Sequence, residues 1–137
     1  MTQSAAAPKI LARVPIPVRW GDMDAFGHVN NTRYLGYLEE ARVQWLTTIP
    51  GSLQGHILPV IAAVHINYRH PIKWPNDLIV ELFVDTLGSS SITVGHRIVS
   101  ARDENLLYSD GHVVAVWMDI KTGKSTLLPE PIQAACR

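Results

Sequence analysis

The chain has 137 residues, with 12 Lys plus Arg against 12 Asp plus Glu, and a length that suits one domain. The balanced charge offers no basic surface for nucleic acid or an anionic membrane, and the lone Cys136 excludes an intramolecular disulfide. No apolar run reaches the ~18 residues of a membrane span, and MTQSAAAPKI lacks the pattern of an export signal. We therefore expect a cytoplasmic protein in which residues 1–8 form a loose tail and residues 9–137 one domain.

The first predicted element is an extended segment over residues 10–20, ILARVPIPVRW. Pro15 and Pro17 cannot donate backbone hydrogen bonds, so this segment is expected at the edge of a sheet. An acidic turn with two glycines follows at residues 21–29, GDMDAFGHV. Asp22 is expected to brace this turn through backbone N–H groups.

A helix is predicted from about Asn31 to Thr47, ending before the Pro50-Gly51 pair. Short polar side chains at residues 30–32 supply candidate N-caps. The apolar residues at helical spacing predict the stripe that packs on the core: Tyr34, Leu35, Leu38, Ala41, Trp45 and Leu46. Gly36 lies inside this helix, where it weakens the helix, and we expect it to allow a close approach to the strands.

The start of such a helix presents unpaired N–H donors and the positive end of the helix dipole, which together can hold a developing oxyanion. Asp24 stands just before it, with no partner base in its own segment. A carboxylate beside donors that polarise a carbonyl suits the hydrolysis of an activated ester or thioester.

Four alternating strands follow the helix, separated by short polar turns. Their predicted apolar faces comprise residues 60, 62, 64, 66 and 68, then 78, 80, 82 and 84, then 92, 94 and 98, and last Val114, Val116, Met118 and Ile120. One early helix and an unbroken run of strands predict an α+β fold with the helix laid across an antiparallel sheet. The reverse faces carry the large apolar residues Phe83, Val99 and Trp117, which predict that a second copy covers part of the sheet or one edge. We expect a homodimer or a homotetramer.

The turn and helix start, GDMDAFGHVNN at residues 21–31, followed by Tyr34 and Glu40-Ala41-Arg42, resemble the hotdog-fold acyl-CoA thioesterases of the 4-hydroxybenzoyl-CoA thioesterase class. Weaker matches occur in the segments YRHP (68–71), VWMD (116–119) and LPE (128–130). The resemblance implies a long helix wrapped by an antiparallel sheet, an acyl-CoA substrate, no cofactor, and a site at the junction of two subunits. Ala25-Phe26 and Asn30-Asn31 differ from the residues of several members, so their acyl preference does not transfer.

The same resemblance implies roles for individual residues. Asp24 matches the catalytic carboxylate, which acts as nucleophile or as general base. Asn31 matches the position whose backbone N–H points at the thioester oxygen. The positions implied to contact substrate are Gly27, His28, Val29 and Asn30. For His28 a second interpretation stays open, a turn histidine that forms a hydrogen bond across a dimer.

The remaining histidines are scattered, without helical spacing between ligands or a cysteine cluster, so no metal site is expected. His96, on an apolar strand face, is expected to be a core histidine. Coenzyme A carries phosphates, for which Arg69 and Lys73 are the candidate cations, although an ordinary solvated strand end also explains both residues.

Two other functions stay open on sequence grounds. One is a hotdog hydratase or dehydratase acting on an acyl thioester, which requires a differently placed acid and base. The other is a non-catalytic acyl-CoA-binding protein that keeps the pocket. An enoyl-CoA assay and a thiol-release assay distinguish them.

Overall fold

The computed structural model describes residues 7–53 and 55–137. Its elements in chain order are β1 (Ile10–Pro17), a short 3₁₀ turn (Trp20–Asp22), α1 (Asn31–Thr47), β2 (Ile57–Tyr68), β3 (Asp77–Leu87), β4 (Ser91–Ser100), β5 (Leu107–Asp119), β6 (Lys124–Ser125) and α2 (Glu130–Cys136). The predicted edge strand, helix and four following strands are all present, whereas β6 and α2 were not predicted. Most of the expected N-terminal tail, residues 1–6, lies outside the described residues, and the assignment of residues 9–137 to one domain stays a prediction.

The strands form one antiparallel sheet in the order β1-β3-β4-β5-β2, with β6 paired to the end of β5. β1 lies at one edge, as its prolines predict, and β2 lies at the other. The buried face of α1 joins strand residues such as Leu82, Ile98 and Trp117 in one apolar core. This is the predicted α+β hotdog arrangement of a long helix and an antiparallel sheet. Among the described residues, no helix is long and apolar enough to cross a membrane.

The bounds of α1 are those predicted, but its inward face differs at two positions. Leu35 is 41% exposed, while Tyr37 is buried in the core. The prediction for Gly36 was also wrong, because a Cβ added there would meet nothing within 4 Å. Gly36 lies on the exposed side of α1, in a groove between the helix and β1.

The strand register corrects two further predictions. In β5 the core residues are Val113, Ala115 and Trp117, so Trp117 belongs to the core and not to the reverse face. In β2 the pairing with β5 shifts between Ile61 and Ala63, which breaks the predicted alternation. The centre of β2, residues 60–65, is exposed along its whole length.

Candidate active site

The acidic turn before α1 is held in place by Asp22, a carboxylate that is 2% exposed. It accepts hydrogen bonds from the Arg19 backbone N–H (3.0 Å), the Arg19 guanidinium (3.2 Å) and the Tyr37 hydroxyl (2.7 Å). Burial alone would raise the pKa of this carboxyl, but these hydrogen bonds outweigh burial and lower the pKa below its usual value. The predicted bracing role of Asp22 is therefore confirmed.

Backbone contacts fix the rest of the turn. Met23 and Val29 form an isolated antiparallel bridge, and the Val29 N–H donates to the Ile72 carbonyl at 2.8 Å. Inside this bridge the Asp24 N–H donates to the His28 carbonyl at 2.9 Å. Gly27 has φ of +82°, a left-handed conformation that glycine adopts without the strain a Cβ brings. The loop therefore holds Asp24 and His28 next to one another before α1.

Asp24 is half-buried, and only one of its two carboxylate oxygens is engaged within the described chain. Oδ1 accepts the Phe26 backbone N–H at 2.8 Å, an Asx-type contact that fixes the orientation of the side chain. None of the hydrogen bonds formed by residues 7–53 and 55–137 uses Oδ2. The turn thus orients the carboxylate and leaves one oxygen free to react.

The start of α1 is capped by Asn30, whose side chain accepts from the Thr32 N–H and hydroxyl, both at 3.0 Å. The Arg33 N–H donates to the Asn30 carbonyl at 2.8 Å. The Asn31 N–H enters none of the hydrogen bonds of the described chain, so it is the donor left open in this first turn. Asn30 serves as the helix cap through its Oδ1, and the substrate contact implied for this residue stays a prediction.

Tyr68, at the end of β2, connects the helix start to the sheet edge. Its hydroxyl donates to the Asn31 carbonyl at 3.0 Å. Its ring lies edge-on to Tyr34, with centroids 4.8 Å apart and planes at 76°. These contacts hold the first turn of α1 against the end of β2.

These elements line an open cleft of about 490 Å³. Its lining residues come from the acidic turn, the helix start and the end of β2: Asp24, Phe26, His28, Val29, Asn31, Tyr34, Tyr68, Arg69, His70 and Pro71. Of the sequence-predicted site residues, the cleft brings together Asp24, His28, Val29, Asn31 and Arg69. Gly27 lines an adjoining hollow that shares Asp24, whereas Lys73 lines neither.

The cationic side chains at the cleft rim already have partners within the chain. Arg69 donates to both Asp110 oxygens, from Nε at 3.1 Å and from the terminal nitrogen at 3.3 Å. His70 forms a contact of 2.9 Å between Nδ1 and the Leu107 carbonyl. Arg69 therefore has a fixed orientation and a partner that offsets part of its charge.

Sequence reasoning missed Tyr68 and Phe26 as parts of the site. Phe26 is 87% exposed, so its ring can contact a molecule bound in the cleft. The position of Phe26 in the acidic turn was the sequence signal that could have placed it in the site. No local signal connects Tyr68 to the helix start, because that contact depends on how β2 pairs within the sheet.

A hotdog α+β fold with an oriented carboxylate beside an open helix N-terminus fits a thioesterase. Comparisons with known proteins agree. A family model described as the thioesterase-like superfamily matches residues 18–136. The chain is 30% identical over 122 residues to the long-chain acyl-CoA thioesterase FadM of Escherichia coli, covering 82% of this chain and 87% of that protein.

Two solved structures are also similar. A protein of Pseudomonas aeruginosa, described as a candidate thioesterase, has a TM-score of 0.90 and 42% identity, covering 94% of this chain and 100% of its own. A candidate acyl-CoA thioesterase of Xanthomonas campestris has a TM-score of 0.77 and 61% identity, covering 81% of this chain and 95% of its own.

The chain belongs to the thioesterase-like superfamily. The predicted hotdog fold and enzyme class, thioester hydrolase, are thereby confirmed at the level of the family. The 4-hydroxybenzoyl-CoA class named by the resemblance stays a prediction.

Proposed function

We propose that this protein hydrolyses an acyl-CoA thioester to a carboxylic acid and free CoA. The observation that carries this proposal is that Asp24 and Asn31, the first residue of α1, line one cleft. A thioester carbonyl bound between them has its oxygen near a hydrogen-bond donor and its carbon near a carboxylate. Relatives named as acyl-CoA thioesterases support the same substrate class.

Asp24 supplies the nucleophile or activates it. As general base, its free oxygen takes a proton from water while the water oxygen bonds to the carbonyl carbon. As nucleophile, the same oxygen attacks the carbon, and water hydrolyses the resulting anhydride. In both routes the C–S bond breaks and the sulfur of CoA leaves, ending as the thiol. The Phe26 N–H, which binds the other oxygen at 2.8 Å, keeps the reacting oxygen oriented.

The Asn31 N–H stabilises the tetrahedral oxyanion. It is the open donor of the first turn, and the 17 residues of α1 align their peptide dipoles toward the same point. Loss of one such donor typically costs about 3 kcal/mol of transition-state stabilisation. His28, half-buried in the same cleft, is a candidate for orienting the substrate.

The phosphates of CoA are assigned to the outer rim of the cleft. Arg69 has 50% of its side chain exposed, so its guanidinium can contact a phosphate while Asp110 fixes its orientation. Lys73 is exposed and outside the cleft lining, which makes it a more distant contact for the same phosphates.

A second copy of the chain is assigned to the β2 edge. This strand pairs only with β5 in the described sheet, and its exposed residues include Val60 at 41%, Ile61 at 39% and Val64 at 45%. Val43 on α1, 46% exposed, shares a small apolar pocket with Ile61. A bare strand edge beside apolar side chains favours pairing with another copy. Because the cleft lies at the end of β2, that copy would lie next to the substrate.

Thiol release from short, medium, long and aryl CoA esters tests the hydrolase. We expect Asp24→Asn to keep the fold and to lose about 100-fold or more in kcat, the scale of removing a general base. The matched control is Asp103→Asn, because Asp103 accepts the Asn105 N–H at 3.0 Å in the same type of turn contact and lies outside the cleft. Near-wild-type turnover by Asp24→Asn would refute the assignment.

The same assays distinguish the other two functions. A hydratase consumes the conjugated absorbance of an enoyl-CoA without releasing thiol. A binding protein retains CoA esters and releases no thiol from any of them. Either result in place of thiol release would exclude the hydrolase.

A further inference from the structure

The face of the sheet opposite α1 carries an imidazole pair that the proposed hydrolysis does not use. His65 on β2 and His112 on β5 are direct partners in the strand register. Their rings are stacked, with centroids 5.3 Å apart and planes at 14°. His112 follows Gly111 and precedes the core residue Val113, so it points to the face away from α1. Within residues 7–53 and 55–137, neither imidazole forms a hydrogen bond.

Gly111, next to this pair, has a backbone conformation that leaves no room for a side chain. Its φ is +150°, and an added Cβ would lie 2.1 Å from the His65 carbonyl oxygen, so only glycine fits here. On the other side of His112, the Phe83 ring covers Gly95, where an added Cβ would lie 2.2 Å from it. The pair therefore has a wall on the β4 side, and both rings stand on the sheet face away from α1, where His65 is exposed.

The surrounding charges do not repel a cation. The next row of the same face consists of ion pairs, Arg69 with Asp110 and Arg97 with Glu81, and Arg13 extends the row by pairing with Glu81 and Glu104. Three arginines face three carboxylates there, so their formal charges cancel. Asn67 donates to Asp110 at 3.1 Å and separates His65 from that row.

We propose that His65 and His112 form a two-histidine site for a divalent transition-metal ion of the zinc, nickel and copper type. Neutral imidazole is a preferred ligand of these ions. Directly opposed residues on antiparallel strands have Cβ atoms about 4.5–5.5 Å apart, which lets two side chains reach one ion. Zinc binds each nitrogen at about 2.0–2.1 Å, so the stacked rings must turn their nitrogens toward each other. The broad χ2 torsion of histidine permits that rotation.

The site has two protein ligands, and water completes the coordination shell. Among the described residues no group of three or more His, Cys, Asp or Glu side chains is arranged around a common metal position. Sequence analysis could not find the pair, because its two members come from strands that only the sheet register brings together. The site lies on the face away from α1 and does not depend on the proposed hydrolase activity.

Calorimetric titration of the metal-free, full-length protein with Zn²⁺ tests the proposal. We expect one ion per chain for the wild type. His65→Gln and His112→Gln should each weaken binding by about tenfold or more, because a chelate loses one of two linked anchors. The double variant should bind at least as weakly as either single variant, because it has no imidazole left at the site.

The matched control is His56→Gln, which removes a half-exposed histidine that contacts Asp119 at 3.0 Å. It should bind Zn²⁺ like the wild type. Imidazole resonances in NMR provide a second measurement: Zn²⁺ should shift those of His65 and His112 and leave those of His56 in place. Binding within twofold of the wild type in both single variants, or equal loss in His56→Gln, would overturn the proposal.

If one glutamine variant fails to fold, the other single variant and the NMR shifts of the wild type decide the question. Thermal melting adds a further measurement, because an ion that binds only the folded chain raises Tm. The rise in Tm should be as large in His56→Gln as in the wild type, and smaller in the variants of His65 and His112.

Discussion

The Tyr37 hydroxyl donates a 2.7 Å hydrogen bond to the Asp22 carboxylate, and both residues are nearly inaccessible to solvent. This bond joins the middle of α1 to the turn that carries Asp24. Burial and the neighbouring carboxylate raise the pKa of Tyr37, so the hydroxyl stays protonated and donating. The turn is thus fixed from two sides, by Arg19 at its start and by the helix above it.

Tyr37→Phe should lower the free energy of unfolding by about 1.5–3 kcal/mol, the scale of a hydrogen bond to a charged group. Because the native pKa of Asp22 is depressed below 3.8, its contribution is present above that pH and is lost as the pH falls through the native pKa. The difference between variant and wild type in urea denaturation should therefore shrink as the pH falls below 3.8.

Tyr108→Phe is the matched control. The Tyr108 hydroxyl accepts from the Asn76 side chain at 3.0 Å, a bond between two neutral groups. Its loss should cost only about 0.5–1.5 kcal/mol and should not depend on Asp22. Equal losses in the two variants would contradict the special role of the charged partner.

Local chemistry made part of the fold predictable. Polar caps and a Pro-Gly pair fixed the bounds of α1, and two prolines marked β1 as an edge strand. The choice of which α1 side chains are buried was less predictable, because Leu35 is more hydrophobic than Tyr37. Tyr37 is buried because Asp22 supplies a partner for its hydroxyl, and that partner is visible only once the turn folds back on the helix.

The candidate site, like the fold, was predictable from the sequence only in part. Asp24 and Asn31 lie in one short segment, so the sequence alone could associate them. The contribution of Tyr68 and the pairing of His65 with His112 depend on strand register, including the shift between Ile61 and Ala63. α2 was missed because it has only 7 residues and owes its burial to Ile132 and Cys136 packing on the core.

Gly36→Ala should raise the free energy of unfolding by about 0.5–1 kcal/mol. The added Cβ meets nothing within 4 Å, so only the gain in helix propensity remains. Urea denaturation measures the gain. A loss of stability would show that the groove between α1 and β1 has no room for a methyl group.

Gly111→Ala should have the opposite effect, with a loss of at least about 2 kcal/mol. Its Cβ would lie 2.1 Å from the His65 carbonyl oxygen, and φ at this residue is +150°. The obstacle is backbone, so no side-chain rotation relieves it. Stability within about 0.5 kcal/mol of the wild type, on the same order as a neutral surface substitution, would contradict the clash of the added Cβ with the His65 carbonyl oxygen.

Tyr68→Phe should lower kcat for the best CoA ester by about 2–10-fold, with KM little changed. The variant keeps the ring against Tyr34 but loses the 3.0 Å bond to the Asn31 carbonyl, so the helix start is held less firmly. Steady-state kinetics separate the two constants. An increase in KM alone would mean that Tyr68 contacts the substrate and does not position the oxyanion donor.

His96 should make the protein less stable in mild acid. This core histidine is 2% exposed, and burial lowers its pKa from 6.5 to about 4. Its Nε2 lies 3.4 Å from the Ser109 hydroxyl, and its Nδ1 has no partner among the described residues. A charged imidazole at this position would be poorly compensated.

Between pH 6.5 and about 4 the unfolded chain binds a proton at His96 that the native chain does not bind. The free energy of unfolding therefore rises with pH across this window, by roughly 3 kcal/mol in total, and levels off above it. His96→Gln cannot bind that proton, so its free energy of unfolding should depend less on pH over the same range. Denaturation in urea at half-unit pH steps measures both proteins, and parallel curves for the wild type and His96→Gln would exclude His96 as the source of the acid sensitivity.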